Sequence, residues 1–152
     1  MLPDSTDLQR LTTARSAELL LRERGVRITA SRVAVLNAVD ESPHSDADTI
    51  ARTVRDRLGA VSIQAVYDAL ALFTNLELVR RIEPAGSPAR YETRVGDNHH
   101  HVTCRRCGAV VDVDCPKSPI PCLAPLQTHG YLIDETEVIY WGLCPLCQLD
   151  QA

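Results

Sequence analysis

The chain has 152 residues, which is enough for one ordinary domain or two small ones, and its formal net charge of −4 argues only weakly against a nucleic-acid partner. No apolar run approaches the roughly 20 residues that a membrane helix needs, and the amino terminus lacks an export pattern. We therefore expect a cytoplasmic protein with reduced thiols and no membrane partner. Six arginines lie between Arg10 and Arg32, whereas acidic residues predominate after Asn98, so one surface could still be basic enough for DNA. The same arginines could instead simply solvate helices.

Apolar spacing and capping residues in the first half of the chain predict four short helices. Gly25 and Gly59 are expected to end the first and third, and Ser45 with Asp48 resembles a capping box. The predicted helices span Leu8 to Arg24, Ala30 to Val39, a segment from the Ser45 capping box to about Leu58, and Ile63 to about Asn75 behind the cap Ser62.

Two predicted strands follow, from Leu78 to Glu83 and from Ala89 to Thr93, with a Pro- and Gly-containing turn between them. Helices followed by such a hairpin are typical of a winged helix-turn-helix domain. Residues 94–97 have the composition of a hinge.

The remaining third of the chain predicts a small α/β domain. Its expected strands cover His99 to Thr103, Ala109 to Val113, Tyr131 to Ile133 and Glu137 to Gly142, with a helix between Pro119 and Gly130. The predicted fold class is thus α+β, with a winged-helix domain at 1–93, a hinge at 94–97 and a small α/β domain at 98–152.

Two Cys-x-x-Cys pairs predict a structural zinc site in this second domain, formed by Cys104, Cys107, Cys144 and Cys147. Four thiolates fill the tetrahedral shell of zinc and leave no position for water or substrate, so the ion would stabilise the fold rather than catalyse a reaction. Disulfides or a redox dithiol are the alternatives.

A run of histidines precedes the first cysteine pair and predicts a second kind of metal site. In a strand His99 and His101 share one face, and a hairpin with Cys104 opposite Cys107 would place Asp112 across from His99. Two imidazoles and a carboxylate suit iron, manganese, zinc or nickel. A solvated strand that binds nothing specific is the alternative.

The outward face of the fourth predicted helix is a candidate for reading DNA. Tyr67 can contact thymine methyl groups, and Gln64 can pair with the N6 and N7 edge of adenine. Ser62 lies at a helix N-terminus, where phosphates bind favourably. Asp68 would repel phosphates, although it could accept a hydrogen bond from cytosine N4, and an ordinary surface helix remains the alternative.

In these motifs the chain resembles the ferric uptake regulator superfamily over nearly its whole length, and within it the actinobacterial FurA and CatR branch. The matching segments are 25–32, 44–50, 61–67, 90–92, 99–107 and both cysteine pairs.

The resemblance implies a homodimer that binds an inverted-repeat operator in double-stranded DNA and represses its own gene and a neighbouring catalase or catalase-peroxidase gene. It also implies structural Zn²⁺ at the cysteines, and a regulatory ion, Fe²⁺ with Mn²⁺ or Zn²⁺ as alternatives, held by His44, Glu92, His99, His101 and Asp112. Arg27 matches the basic residue that relatives direct toward the minor groove.

Several alternatives stay open from the sequence. A zinc-, manganese- or nickel-sensing repressor of the same fold is one, and a zinc-stabilised redox or protein-interaction module is another. Cys115 and Cys122 are either thiol sensors or ordinary cysteines. An enzyme with a small-molecule substrate is not expected, since no His-Glu-x-x-His helix and no acid–base pair is evident.

Overall fold

A computed structural model describes residues 17–97, 99–114 and 125–150. The chain divides into two compact units, the first extending to Val95 and the second beginning at Gly96, with the turn Pro84–Ser87 grouped with the second. This boundary lies inside the segment 94–97 predicted as a hinge. Within the described ranges, no helix has the length and hydrophobicity needed to cross a bilayer.

The first unit combines helices with a three-stranded antiparallel sheet of strand order β1-β3-β2. Helices α2, α3 and α4 pack against one another ahead of the β2–β3 hairpin, which is the predicted winged-helix arrangement. Predicted helical residues 8–16 lie outside the described residues. The elements are α1 (17–23 in its described part), α2 (Ala30–Glu41), β1 (Ser45–Asp46), α3 (Ala47–Leu58), α4 (Ile63–Asn75), β2 (Arg80–Ile82) and β3 (Arg90–Glu92).

The helices form because their apolar residues recur on one face, and that face builds the core of the first unit. The predicted stripe of α4 is buried as expected, and it meets aliphatic side chains from the other helices. The most completely buried of these side chains are Leu21, Val35, Val39, Ile50, Val54, Val66, Leu70 and Phe73.

Each of the three complete helices of this unit begins at a capping side chain. Thr29 accepts from the backbone N–H of Arg32, and Ser62 accepts from that of Ala65 at 3.1 Å, as expected for the fourth helix. The predicted cap Ser45 is wrong, because Asp46 accepts from the N–H of Thr49 at 2.8 Å and caps α3 instead.

Ser45 belongs to the short strand β1 because His44 reverses the chain just before it. His44 has a positive φ of 64°, and its N–H donates to the carbonyl of Tyr91 at 2.8 Å. Ser45 then pairs with Tyr91 in the sheet, which leaves capping to the next residue.

The second unit is built on a three-stranded sheet of order β5-β4-β6, followed by a short helix. The central strand is antiparallel to β5 and parallel to β6, so Cys104 at its end lies beside Gly142. The elements are β4 (His99–Cys104), β5 (Val110–Asp114), β6 (Ile139–Gly142) and α5 (Pro145–Leu149).

Two expectations for this unit need correction, and one helix of the unit was not expected. Tyr131 to Ile133 is not a strand. The backbone of this segment pairs with no described strand, and its apolar side chains are exposed. Residues 125–130 are not helical, whereas 119–124 of the same predicted helix lie outside the described residues. Helix α5 was not predicted.

The register of the β4–β5 hairpin also differs from the expected one. Cys104 pairs by backbone hydrogen bonding with Ala109 rather than with Cys107, because Gly108, at φ 73°, makes the connecting turn longer by two residues. Asp112 therefore lies across from His101, and Asp114 lies across from His99. A shift of two residues keeps every side chain on its face, so Asp112 stays on the same face as both histidines.

Candidate metal centres and nucleic-acid interface

The four paired cysteines come together in the second unit and are called the cysteine cluster here. Their sulfur atoms all lie within 4.8 Å of one another. Cys104 ends β4, Cys107 lies in the turn after it, and Cys144 and Cys147 belong to the start of α5. Parallel pairing of β4 with β6 places the start of α5 beside that turn, so 36 intervening residues do not keep the pairs apart.

The spacing of the sulfur atoms fits a tetrahedral zinc ion. With zinc–sulfur bonds of about 2.3 Å, two ligand sulfurs lie roughly 3.8 Å apart. The Cys107 and Cys144 sulfurs are 3.7 Å apart. Cys104 and Cys147 are buried, and all four thiols are free of disulfides.

The surroundings of the cluster shift the pKa values of two of its thiols in opposite directions. Backbone N–H groups of Cys107 and Cys144 donate to the Cys104 sulfur and lower its pKa to about 6. A side-chain hydrogen bond with Cys144, together with burial, raises the pKa of Cys147 to about 12. The Cys104 thiol thus ionises more readily than the Cys147 thiol, and a divalent cation bound at this cluster would hold all four residues as thiolates.

Arg106, in the turn that carries the first cysteine pair, contacts helix α5. Its guanidinium donates to the carbonyl of Cys147 at 3.3 Å and lies 3.5 Å from the carboxylate of Asp150. This contact was not predicted, because it depends on a helix that the sequence pattern did not indicate.

A second group of donors lies on the β4–β5 hairpin and consists of His99, His101 and Asp112, the hairpin triad. The Nε2 atoms of the histidines lie 3.8 and 3.5 Å from the same Asp112 oxygen, Oδ1. Ligand atoms that share one ion with bonds of about 2.1 Å are separated by roughly 3–4 Å, so the triad fits a metal. Both rings are buried, which excludes the freely solvated histidine strand.

Asp97 orients one ring of the triad. Its carboxylate lies 2.7 Å from His99 Nδ1. Because a carboxylate can only accept, the imidazole proton lies on Nδ1, and the lone pair of Nε2 faces Asp112. Sequence reasoning missed this residue, although its position two residues before His99 was a usable signal.

The first unit contributes a pair of donors, His44 and Glu92. His44 Nε2 lies 2.9 Å from a carboxylate oxygen of Glu92, whose side chain is 1% exposed. The strand pairing of β3 with β1 places the two residues together, because the His44 N–H is bonded to the carbonyl next to Glu92. Of the five predicted regulatory ligands, His44 and Glu92 belong to the first unit, and His99, His101 and Asp112 belong to the second.

The predicted DNA-reading residues lie on the surface of the first unit. Tyr67 is 45% exposed on α4, and Gln64 and Asp68 flank it on the same outward face. Gln64 Nε2 donates to Asp68 Oδ1 at 2.7 Å. Arg27 is exposed just before α2, and its carbonyl accepts from Arg32. Predicted sensor candidates Cys115 and Cys122 lie outside the described residues.

Comparison with known proteins agrees with this arrangement. The sequence profile of the ferric uptake regulator family matches residues 23–137. The transcriptional regulator FurA of Mycobacterium tuberculosis is 56% identical over 129 residues, which cover 85% of this chain and 88% of FurA. The peroxide-responsive repressor PerR of Staphylococcus aureus is 31% identical over 130 residues, covering 84% and 86% of the two chains.

A solved structure supports the predicted fold class. The Helicobacter pylori ferric uptake regulator, described with three functional metal binding sites, aligns with a TM-score of 0.67 at 17% identity over 90% of this chain and 92% of that one. The α+β prediction is thus confirmed. From the profile match and the FurA identity, the chain belongs to the ferric uptake regulator family and is a DNA-binding, metal-dependent transcriptional regulator rather than an enzyme.

Proposed function

We propose that this regulator is a cytoplasmic, homodimeric repressor that binds an inverted-repeat operator in double-stranded DNA while a regulatory ion connects its two units. The observation that carries the proposal is that each unit holds imidazole and carboxylate donors close together, with Glu92, His99 and His101 buried among them. Neither set alone completes a coordination shell for a transition metal. Joined through one ion, His44 and Glu92 with the hairpin triad would complete it.

The cysteine cluster has a different role in this proposal. Its four thiolates occupy every position of a zinc ion, so the ion binds tightly and stabilises the second unit without responding to the cell. The cluster would remain loaded while the regulatory ion exchanges.

Because its proposed ligands lie on both sides of the boundary at Val95 and Gly96, the regulatory ion would control the arrangement of the two units. An ion that binds more tightly to one arrangement of the units shifts the population toward that arrangement. Each difference of about 1.4 kcal/mol in binding free energy changes the population ratio tenfold. Asp97 supports this role because it keeps the Nε2 lone pair of His99 available.

The DNA contacts follow from the outward face of α4. In a dimer two copies of Tyr67 would face the two halves of an inverted repeat, each ring against thymine methyl groups. The N-terminus of α4 at Ser62 would bind a phosphate, and Arg27 would enter a narrow A·T minor groove.

We further propose Fe²⁺ as the physiological ion and peroxide as a second signal, with a catalase or catalase-peroxidase gene and the protein's own gene as targets. With Fe²⁺ bound, peroxide would oxidise a ligand histidine such as His44 or His101, and loss of that donor would release the operator. The similarity to the peroxide-responsive repressor PerR supports this signal. Mn²⁺, Zn²⁺ and Ni²⁺ bind the same donor types, so a metal panel must rank them.

An electrophoretic shift assay tests the proposal, with the full-length protein and duplexes from the promoter regions of its own gene and of a catalase gene. We expect retardation only with the regulatory metal, with Mn²⁺ as the air-stable probe. His101→Ala should lose that response while zinc content and dimerisation persist. His129→Asn, at an exposed histidine outside both donor sets, is the matched control and should behave as wild type.

Two results would contradict the proposal. One is retardation that does not depend on added metal, and the other is a His101→Ala protein that responds to Mn²⁺ like the wild type.

A further inference from the structure

The outward stripe of α4 carries a hydrogen bond between two of the side chains that would face DNA. Gln64 and Asp68 are separated by one helical turn, and Gln64 Nε2 donates to Asp68 Oδ1 at 2.7 Å. Val66 and Leu70 lie on the opposite, buried face, so the pair points away from the core. A role for this pair in base recognition rests on the proposed function, in which the stripe enters the major groove.

The chemistry of the pair fixes which way the Gln64 amide points. An ionised carboxylate only accepts hydrogen bonds, so the NH₂ group must face Asp68 and the carbonyl oxygen must face away. The NH₂ group has two hydrogens, and Asp68 uses one. The other N–H and the carbonyl oxygen remain on the free edge of the amide.

That free edge matches one base. Adenine presents an acceptor at N7 and a donor at N6, which a correctly oriented glutamine amide satisfies with two hydrogen bonds. Guanine presents acceptors at both N7 and O6, so the fixed carbonyl oxygen of Gln64 would face another acceptor. A freely rotating amide could instead direct its NH₂ group to guanine.

We propose that Asp68 is a specificity-determining residue, which acts by holding the Gln64 amide in the orientation that accepts adenine and rejects guanine. Its negative charge also repels the DNA backbone, but that repulsion is the same for every sequence. Asp68 therefore lowers overall affinity while it sharpens the choice of base at one position in each half-site.

The test begins with selection of operators from a duplex library by the full-length Mn²⁺-loaded protein. Selection with Gln64→Ala then identifies the operator position at which the base preference is lost. Competition binding compares duplexes that carry each of the four base pairs at that position. For the wild type we expect A·T over G·C by about tenfold, which is within the discrimination of a bidentate contact. Asp68→Asn should reduce that ratio to less than about threefold, because an asparagine amide can donate as well as accept and no longer fixes Gln64.

Asp56→Asn, at an exposed carboxylate on α3, removes the same charge away from the pair. It should leave the base ratio unchanged, so a general electrostatic effect is separated from orientation of the amide.

An Asp68→Asn protein with the wild-type base ratio would overturn this inference and leave the proposed repressor function intact. A Gln64→Ala protein that keeps the wild-type base preference at every position of the operator would also overturn it, because Gln64 would then read no base. Failure of the wild type to enrich any inverted repeat would overturn the proposed function together with the inference.

Discussion

The two units of the chain differ in what they bury. In the first unit the interior consists of aliphatic and aromatic side chains such as Val35, Leu70 and Phe73. Among the described residues from His99 onward, the buried ones are three histidines, Thr103 and the cysteines Cys104 and Cys147. The first unit therefore has the core of an ordinary small domain, whereas the second is organised around metal-binding groups.

This difference predicts two sources of stability. Apolar burial stabilises the first unit in any metal state. The second unit has little apolar burial and also buries polar atoms that find no hydrogen-bond partner among the described residues, including both ring nitrogens of His100 and the hydroxyl of Thr103. Each such atom is costly, and the zinc ion proposed at the cysteine cluster would offset part of that cost.

The largest effect should come from breaking the cysteine cluster. Cys144→Ser removes one thiolate from a site whose ion contributes on the order of 10 kcal/mol to folding, so we expect the second unit to unfold and zinc to be lost. Metal analysis and circular dichroism measure the two losses. The control is Cys122→Ser, which lies outside both cysteine pairs and should keep zinc. Retention of zinc by Cys144→Ser would refute the four-thiolate site.

Truncation of the first unit's core should have a smaller effect that is independent of metal. Phe73→Ala creates a cavity and should lower the free energy of unfolding of the first unit by about 3–5 kcal/mol. Urea unfolding followed by helical circular dichroism should give the same difference with and without chelator. The control is Leu58→Ala, at a half-exposed position, which is expected to change the free energy of unfolding by less than about 1 kcal/mol. If the effect of Phe73→Ala depended on metal, the two units would not have separate sources of stability.

Asp97→Asn tests the orientation of the hairpin triad. An amide can also donate, so the His99 proton is no longer held on Nδ1, and we expect regulatory metal affinity to fall by about 10–100-fold. Competition with a metal-binding dye measures the affinity of the regulatory site, on protein whose cysteine cluster holds zinc. Asp134→Asn, an exposed carboxylate of the same unit, should have no effect, and equal affinities for the two variants would show that Asp97 does not orient the triad.

The smallest effect belongs to the α3 cap. The Thr49 N–H lowers the pKa of Asp46, so the ionised cap stabilises the fold above the unfolded pKa of 3.8, and this contribution is lost as the pH falls through the lower folded value. Asp46→Ala should cost about 1 kcal/mol at pH 7 and progressively less in acid. Asp46→Asn, which can still cap the helix, should retain most of the stability. If the loss in free energy of unfolding caused by Asp46→Ala instead grew on acidification, the ionised cap would not be the source of the stabilisation.

Local signals predicted much of the first unit. Ser62 caps α4 as expected, and Val66, Leu70 and Phe73 are buried on its inner face, because capping and helical periodicity act over a few residues. Ser45 was assigned wrongly since its state depends on pairing with Tyr91, which is distant in the sequence.

The second unit was harder to predict, because its arrangement depends on contacts over long separations. The cysteine spacing indicated the cluster, but the length of the turn around Gly108 decided the register of Asp112. The role of Arg106 followed only from the three-dimensional structure, whereas Asp97 lies two residues before His99 and could have been found from that spacing.

Hydrogen–deuterium exchange of the wild-type protein, resolved by peptide before and after complete removal of zinc, separates the two sources of stability in a single experiment. We expect β4, β5, β6 and α5 to lose protection when zinc is removed, while α2, α3 and α4 keep theirs. Unchanged protection of the β4–β6 strands in zinc-free protein would contradict a second unit whose fold depends on its metal.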